Sequence, residues 1–264
     1  MMSTAAREIN AVTAIAFREL FRTIKRPVLL SFSIIFPMIF IGILGGSMSQ
    51  NLGQGLGFNF MQFILIGMIV NSLFQGTVTG ITSLVQERDQ NLTQELFVSP
   101  ISRYSIILGK IIGSSASSLV MLIGILIVGL ILQIPFGGWD IVRLFLISPL
   151  FCLVGGSLGM FFIGFVTDSR VADFGSFLLI MPQMFLSGAI IPINHSTGIL
   201  AFLAKIMPMT YAIDLARAVF YWGEPTYEVI VLHNPWLDLI VMAGFFLLFS
   251  LVGTFFFTRQ EKNR

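Results

Sequence analysis

Hydrophobic positions along this chain come in long blocks, not in the alternation of a strand or the one-sided stripe of a soluble helix. From Pro27 to Gln86 there is no Asp, Glu, Lys or Arg, and Ile111 to Trp139 is again uncharged. About 20 apolar residues cross a bilayer core of roughly 30 Å. Six segments approach or exceed that length: Val28 to Ser47, Phe60 to Val85, Ile106 to Ile134, Leu144 to Val166, Phe174 to Ile191 and Trp236 to Thr258. Met48 to Asn59 separates the first two, and its glycines and asparagines mark a loop, so the first uncharged run reads as a helical hairpin. The pattern predicts an all-α membrane protein of six transmembrane helices, a single transmembrane domain over 1–264.

Composition agrees with the pattern. The chain is 56% hydrophobic and 11% charged, with 27 Phe, 13 Met and a mean hydropathy of +0.92, which is the membrane class. The charge of +2 is set by loops and implies no nucleic-acid partner.

Lys and Arg are retained on the cytoplasmic side far more often than they are translocated. The amino-terminal segment carries Arg7, Arg18, Arg22, Lys25 and Arg26; a charged island from Gln86 to Lys110 carries Arg88, Arg103 and Lys110; Arg170 follows the fourth span, and Arg259, Lys262 and Arg264 lie in the tail. Only Arg143, Lys205 and Arg217 remain for the other side. Both termini are therefore expected in the cytoplasm, in a multi-pass protein of a prokaryotic plasma or inner membrane.

Two regions flank this frame. Residues 5–26 place Ile9, Val12, Ala16, Leu20 and Ile24 at helical spacing with most of the cations off that stripe, which predicts an amphipathic helix in the headgroup plane. Residues 192–235 hold two apolar pieces, Thr197 to Met207 and Thr210 to Trp222, each too short to cross and separated at Pro208. They read as re-entrant or interfacial helices, with a seventh span as the alternative and with Asp214 and Arg217 spaced to pair at i and i+3.

Signals for chemistry are weak. Gly155-Gly156-Ser157-Leu158-Gly159 fits the G-x-S-x-G nucleophile pattern but sits inside a span, where a small-residue packing face explains it. Gly109-Lys110 resembles the end of a phosphate-binding loop, yet Ile111 replaces the magnesium-binding Ser or Thr and Tyr104 the leading glycine. Cys152 is alone, and neither His195 nor His233 sits in a metal-binding spacing. The sequence thus offers no catalytic, cofactor or metal residues. No ionisable group is expected deep in a span, so coupling to an ion gradient lacks its usual residues.

The spans do hold uncharged polarity. Asn71, Gln75, Thr79 and Thr82 follow one helical stripe and Asp173, Ser176, Gln183 and Ser187 another. Asn71, Gln75, Thr79, Ser176, Gln183 and Ser187 are candidates to line a translocation path; interhelical hydrogen bonding is the other reading. Gly42/Gly46, Gly76/Gly80, Gly109/Gly113 and Gly155/Gly159 are spaced for close helix approach, and Pro37 and Pro182 for kinks.

Glu87-Arg88-Asp89, then Glu95-Leu96-Phe97-Val98-Ser99-Pro100-Ile101-Ser102-Arg103 and Leu108-Gly109-Lys110, resemble the coupling segment of ABC-2 type permeases, the membrane subunits of ABC exporters in the daunorubicin-resistance-like group. Ser187-Gly188, Pro192 and Pro208-Met209-Thr210-Tyr211 with Asp214 and Arg217 resemble the same family's outer motif. The resemblance covers essentially the whole chain. It implies an exporter of two permease copies, as a homodimer, and two copies of a separate ATPase that carries ATP and magnesium. It also implies ATPase coupling through residues 86–103, with Glu87, Arg88, Asp89, Leu92, Glu95, Leu96, Phe97, Pro100 and Arg103 as contacts, and an outer gate at Pro208, Tyr211, Asp214 and Arg217. Within the segment, Gln86 to Val98 is expected to form a short helix that ends before Pro100. Met- and Phe-rich spans suit a hydrophobic or amphipathic cargo such as a drug, antibiotic, lipid or glycolipid. An ATP-independent carrier or channel, and an intramembrane enzyme, are the competing functions.

Overall fold

The computed structural model describes residues 4–52, 57–89, 102–194 and 196–262. Among them there is no strand, and the helices in order are α1 Thr4–Ile24, α2 Pro27–Ile39, a π-helical stretch Phe40–Gly45, α3 Gly46–Leu52, α4 Phe60–Asp89 and α5 Arg103–Ile131. Then follow α6 Gly138–Ile163, α7 Ser169–Leu186, α8 Gly198–Ile206, α9 Pro208–Phe220, α10 Tyr227–Ile230 and α11 Pro235–Lys262. Five helical segments are long and apolar enough to cross a membrane, and six if the bent pair α8–α9 counts as one span.

Local chemistry explains the starts. The Asn59 carboxamide oxygen accepts from the amides of Met61 and Gln62 at 3.0 and 3.2 Å. Ser102 and Asp168 cap α5 and α7 in the same way, satisfying amides that a helix leaves unpaired in its first turn. Pro27, Pro208 and Pro235 each open a helix, where the missing N–H costs nothing. Pro37 lies inside α2 just ahead of the π-helical stretch, so the first span is one irregular helix with its register reset part-way.

The ends differ from the expected spans in two informative places. Span three stops at Ile131, because Leu132 leaves the helix and Gln133 takes a φ of 54°. The segment expected from Phe174 to Ile191 is instead helical from Ser169 to Leu186, ended by Ser187 and by Gly188 at φ 84°. At 18 residues α7 is at the lower limit for crossing.

α4 is the central helix, packed by α5, α6, α7 and α9, while α11 lies on α6 and α9 and α2 on α5. Phe63, Ile64, Leu65, Ile66, Met68 and Ile69 of α4 are all buried, on every side of the helix, as expected for a helix enclosed by others. Ile35 and Ile39 of α2 and Ile240, Leu247 and Leu251 of α11 face outward, as lipid-facing residues do. Small residues set the closest approaches. A Cβ on Gly80 would lie 2.3 Å from the Ser114 side chain and one on Gly155 3.0 Å from the Phe74 backbone, so α4 touches α5 and α6 only because these positions lack side chains. The expected pair Gly42/Gly46 does not share this role, since Gly42 meets nothing within 4 Å.

Candidate functional site

α1 packs along α5 through a small apolar face that contains one acidic residue, Glu19. Ala11, Ile15 and Glu19 are buried, while Ile9, Phe17, Phe21 and Ile24 are exposed. The approach is close: a Cβ on Gly113 would lie 2.7 Å from the Cβ of Glu19 and 2.9 Å from the Ala16 backbone.

The inward charges of α1 meet those at the two roots of the island. Lys110 in α5 is fully buried; its Nζ donates to Glu19 Oε2 at 2.7 Å, Ser83 Oγ at 2.9 Å and Glu87 Oε1 at 2.6 Å. Glu87, in the last turn of α4, also accepts from Arg18 Nη2 at 2.9 Å and Arg22 Nη1 at 2.8 Å. Two carboxylates thus offset three cations, and all three Lys110 protons have acceptors, the condition under which a buried ion pair holds together. A second tie closes the far root: both carboxylate oxygens of Glu8 accept from the Ser102 amide, at 3.1 and 3.2 Å. The Ser105 hydroxyl, followed by the Ser102 amide, holds the Glu8 carboxyl below the usual carboxylate range. One helix, α1, therefore clamps the end of α4 and the start of α5.

This geometry changes the reading of Glu87. Expected to face an ATPase, it is 3% exposed and committed to internal partners. Lys110, Glu19, Arg18 and Arg22 were not singled out from the sequence. The available signal was an acidic residue, Glu19, in a basic helix, together with a lone cation at the start of an apolar span. Leu92, Glu95, Leu96, Phe97 and Pro100 lie outside the described residues, as do the side chains of Arg88, Asp89 and Arg103. The expected Gln86–Val98 helix is described only as far as Asp89, where it continues α4.

Of the candidate path residues, Asn71, Gln75 and Thr79 line a cavity of about 330 Å³ among α2, α4, α5 and α7, with Phe32, Phe36, Met68 and Phe177 as its apolar wall. A second cavity of about 210 Å³ shares Gly76, Thr79 and Met121 with the first and includes Ser176, Gln86, Asp173 and the clamp residues Glu19 and Arg22. The two cavities are thus neighbours, one at mid-span and one beside the charged clamp. Gln183 and Ser187 line neither cavity. Gln183 donates to the Leu179 carbonyl at 3.2 Å and accepts from the Met209 amide at 3.4 Å, and Ser187 is buried.

At the other end, α8 and α9 meet at an 83° bend. Met207 there is extended, at φ −85° and ψ 118°, as a residue before proline prefers. Pro208, Tyr211, Asp214 and Arg217 all lie on α9 and are buried, but their side chains reach different elements. The Tyr211 hydroxyl donates to the Lys205 carbonyl at 2.7 Å. Asp214 accepts from the amides of Leu232 and His233 at 2.8 and 2.7 Å. Arg217, expected to pair with Asp214, instead donates to the Gly188 carbonyl at 2.7 Å and lies 3.5 Å above the Phe63 ring. The α9 helix is a hub that fixes the turn after α7, the end of α8 and the turn before α11. Ser157, the serine of the G-x-S-x-G pattern, is buried in α6 with its hydroxyl bonded to the Val154 carbonyl, which is a packing role.

The chain matches the ABC-2 type transporter family over residues 10–221. It is 26% identical over 181 residues to the probable multidrug ABC transporter permease YbhR of Escherichia coli K12, covering 67% of this chain and 45% of that protein. The chain therefore spans under half the length of that relative. It is also 26% identical over 196 residues to nodulation protein J of Rhizobium meliloti 1021, covering 72% of each. With the inner membrane transport permease YadH of Escherichia coli K12 it shares 29% over 170 residues, covering 62% of this chain and 64% of that one. Family and fold together make the chain a multi-pass membrane permease and a member of the ABC-2 type transporter family.

Proposed function

We propose that this permease is the membrane subunit of an ATP-driven exporter. A second copy of the chain completes the path, and two copies of a separate ATPase, which hold the ATP and magnesium, dock on residues 86–103. The observation that carries this reading is the double attachment of α1. A segment whose two roots are locked to one helix passes a displacement on instead of absorbing it, because the Glu87–Lys110–Glu19 network and the Glu8–Ser102 tie make α1, α4 and α5 move as one body. Closure of an ATPase dimer on the segment then shifts α4, whose side chains Asn71, Gln75 and Thr79 line the cavity.

The cavity suits a cargo with an apolar body and a polar head: Phe and Met side chains line it together with the amides of Asn71 and Gln75 and the hydroxyls of Ser33, Ser72 and Thr79. That class includes drugs, antibiotics, lipids and glycolipids, and the multidrug designation of one relative fits within it. The test is reconstitution in proteoliposomes with the cognate ATPase, measuring ATP-dependent export and substrate-stimulated ATP hydrolysis. Glu95→Arg, in the docking segment, is expected to abolish both while the permease keeps its elution volume. Transport by the purified chain without ATP, at the rate of the complex, would establish the carrier reading instead.

A further inference from the structure

Away from the clamp, three side chains converge between α9 and the start of α11. Asp214, His233 and Asp238 each bring one ligand atom to within 4.8 Å of the others. His233 Nδ1 stands 3.1 Å from Asp214 Oδ2 and 3.6 Å from Asp238 Oδ1. Asp238 is fully buried, and among the described residues neither of its carboxylate oxygens has a hydrogen-bond partner. A buried carboxylate with no donor is costly, and among the described residues no Lys or Arg forms an ion pair with it.

We propose that Asp214, His233 and Asp238 form a binding site for a divalent transition-metal cation of the zinc class. The donor set of one imidazole nitrogen and two carboxylate oxygens is that of a borderline ion; calcium takes six to eight oxygens and magnesium keeps several waters. Two ligands on a tetrahedral ion with bonds of about 2.05 Å lie about 3.4 Å apart. The separations of 3.1 and 3.6 Å about His233 Nδ1 bracket that value.

The surroundings prepare the ligands. Asp214 Oδ1 and Oδ2 accept from the amides of Leu232 and His233, which orients the carboxylate and leaves a lone pair on each oxygen. The His233 ring stacks on Tyr211, with centroids 5.5 Å apart. Such outer contacts fix metal ligands elsewhere. The His233 side chain is 28% exposed, so the fourth position opens to solvent. The ion cross-links α9 to the first turn of α11 and holds the 231–234 turn on the hub. His233 ligates through Nδ1 with its proton on Nε2.

The test uses the full chain, purified in detergent, stripped with chelator and titrated with zinc, then manganese, by calorimetry and metal analysis. The expected result is one zinc per chain with a rise in melting temperature. Asp238→Asn and His233→Gln are each expected to weaken binding at least tenfold and to remove the thermal shift. His195→Ala, at the only other histidine, leaves both unchanged. Asp238→Asn relieves an unpaired buried charge and so folds without metal; His233→Gln gives an independent variant. X-ray absorption should show one imidazole in an oxygen and nitrogen shell. Absence of stoichiometric binding would overturn the site and leave a proton as the occupant of Asp238. Unchanged affinity in both variants, or its loss in His195→Ala, would overturn it equally. Because no ATPase is present, the result stands apart from the exporter reading.

Discussion

Glu87 and Lys110 are 23 residues apart in sequence, on opposite sides of the charged island, and their side chains meet at 2.6 Å in a buried ion pair. The pair staples the two roots of the island together, and Glu19, Arg18 and Arg22 of α1 complete it.

Removing one partner of a buried pair strands the other's charge. Lys110→Met and Glu87→Gln are each expected to cost about 3–5 kcal/mol, with the double variant falling short of their sum by about 1–3 kcal/mol. Denaturant unfolding in detergent measures this. Simple additivity would show that the two do not act as a unit. Charge reversal at Glu87 is expected to destabilise the fold as well, because the side chain is buried against Lys110.

The Glu8 carboxylate holds the first turn of α5, and its depressed pKa sets the sign of the pH effect. The tie is complete above the ordinary glutamate value of about 4.3 and is lost only as pH falls through the lower folded value. At neutral pH, Glu8→Gln is expected to speed hydrogen exchange at the Ser102 amide several-fold. Equal protection in both proteins would mean that Ser102 is held by something else.

Close approach of α1 depends on Gly113. Gly113→Val is expected to push α1 off α5, with loss of stability and increased proteolysis of residues 4–24. Gly244, where a Cβ would meet nothing within 4 Å, is the control: Gly244→Ala is expected to be neutral, or stabilising by up to about 1 kcal/mol from helix propensity. Similar losses at both sites would remove the packing argument.

Asn71 has a buried side-chain oxygen with no partner among the described residues and lines the larger of the two neighbouring cavities. Asn71→Leu is expected to leave thermal stability unchanged or raised, since it removes an unsatisfied polar group. It is expected to reduce substrate-stimulated ATPase activity several-fold in the reconstituted complex. A fall in stability with normal stimulation would make Asn71 a packing residue.

Much of the fold was legible because lipid imposes a simple rule: a segment that crosses must be long, apolar and helical. Val28 to Ser47, Phe60 to Val85 and Trp236 to Thr258 all fall within observed helical segments for that reason. Ends were less legible where backbone conformation decided them, as at Gln133 and Gly188. The Asn71, Gln75 and Thr79 stripe was visible because all three lie on one helix. Whether such a stripe lines a cavity depends on neighbours, and Gln183, on the other stripe, bonds to α9 instead.

By itself, the sequence determined the class of protein, the order of its long apolar helices, the position of the charged island and the absence of a complete phosphate-binding loop. These follow from local composition and spacing. Tertiary structure alone decided which charges are buried and with whom: that Glu87 turns inward to Lys110, that Glu19 of α1 is buried against the bundle, that Arg217 takes the Gly188 carbonyl and not Asp214, and that Asp238 joins His233. Each joins elements distant in sequence or picks one partner among several, and no periodicity records that choice. In an apolar surround, the cost of an unpaired charge makes it definite.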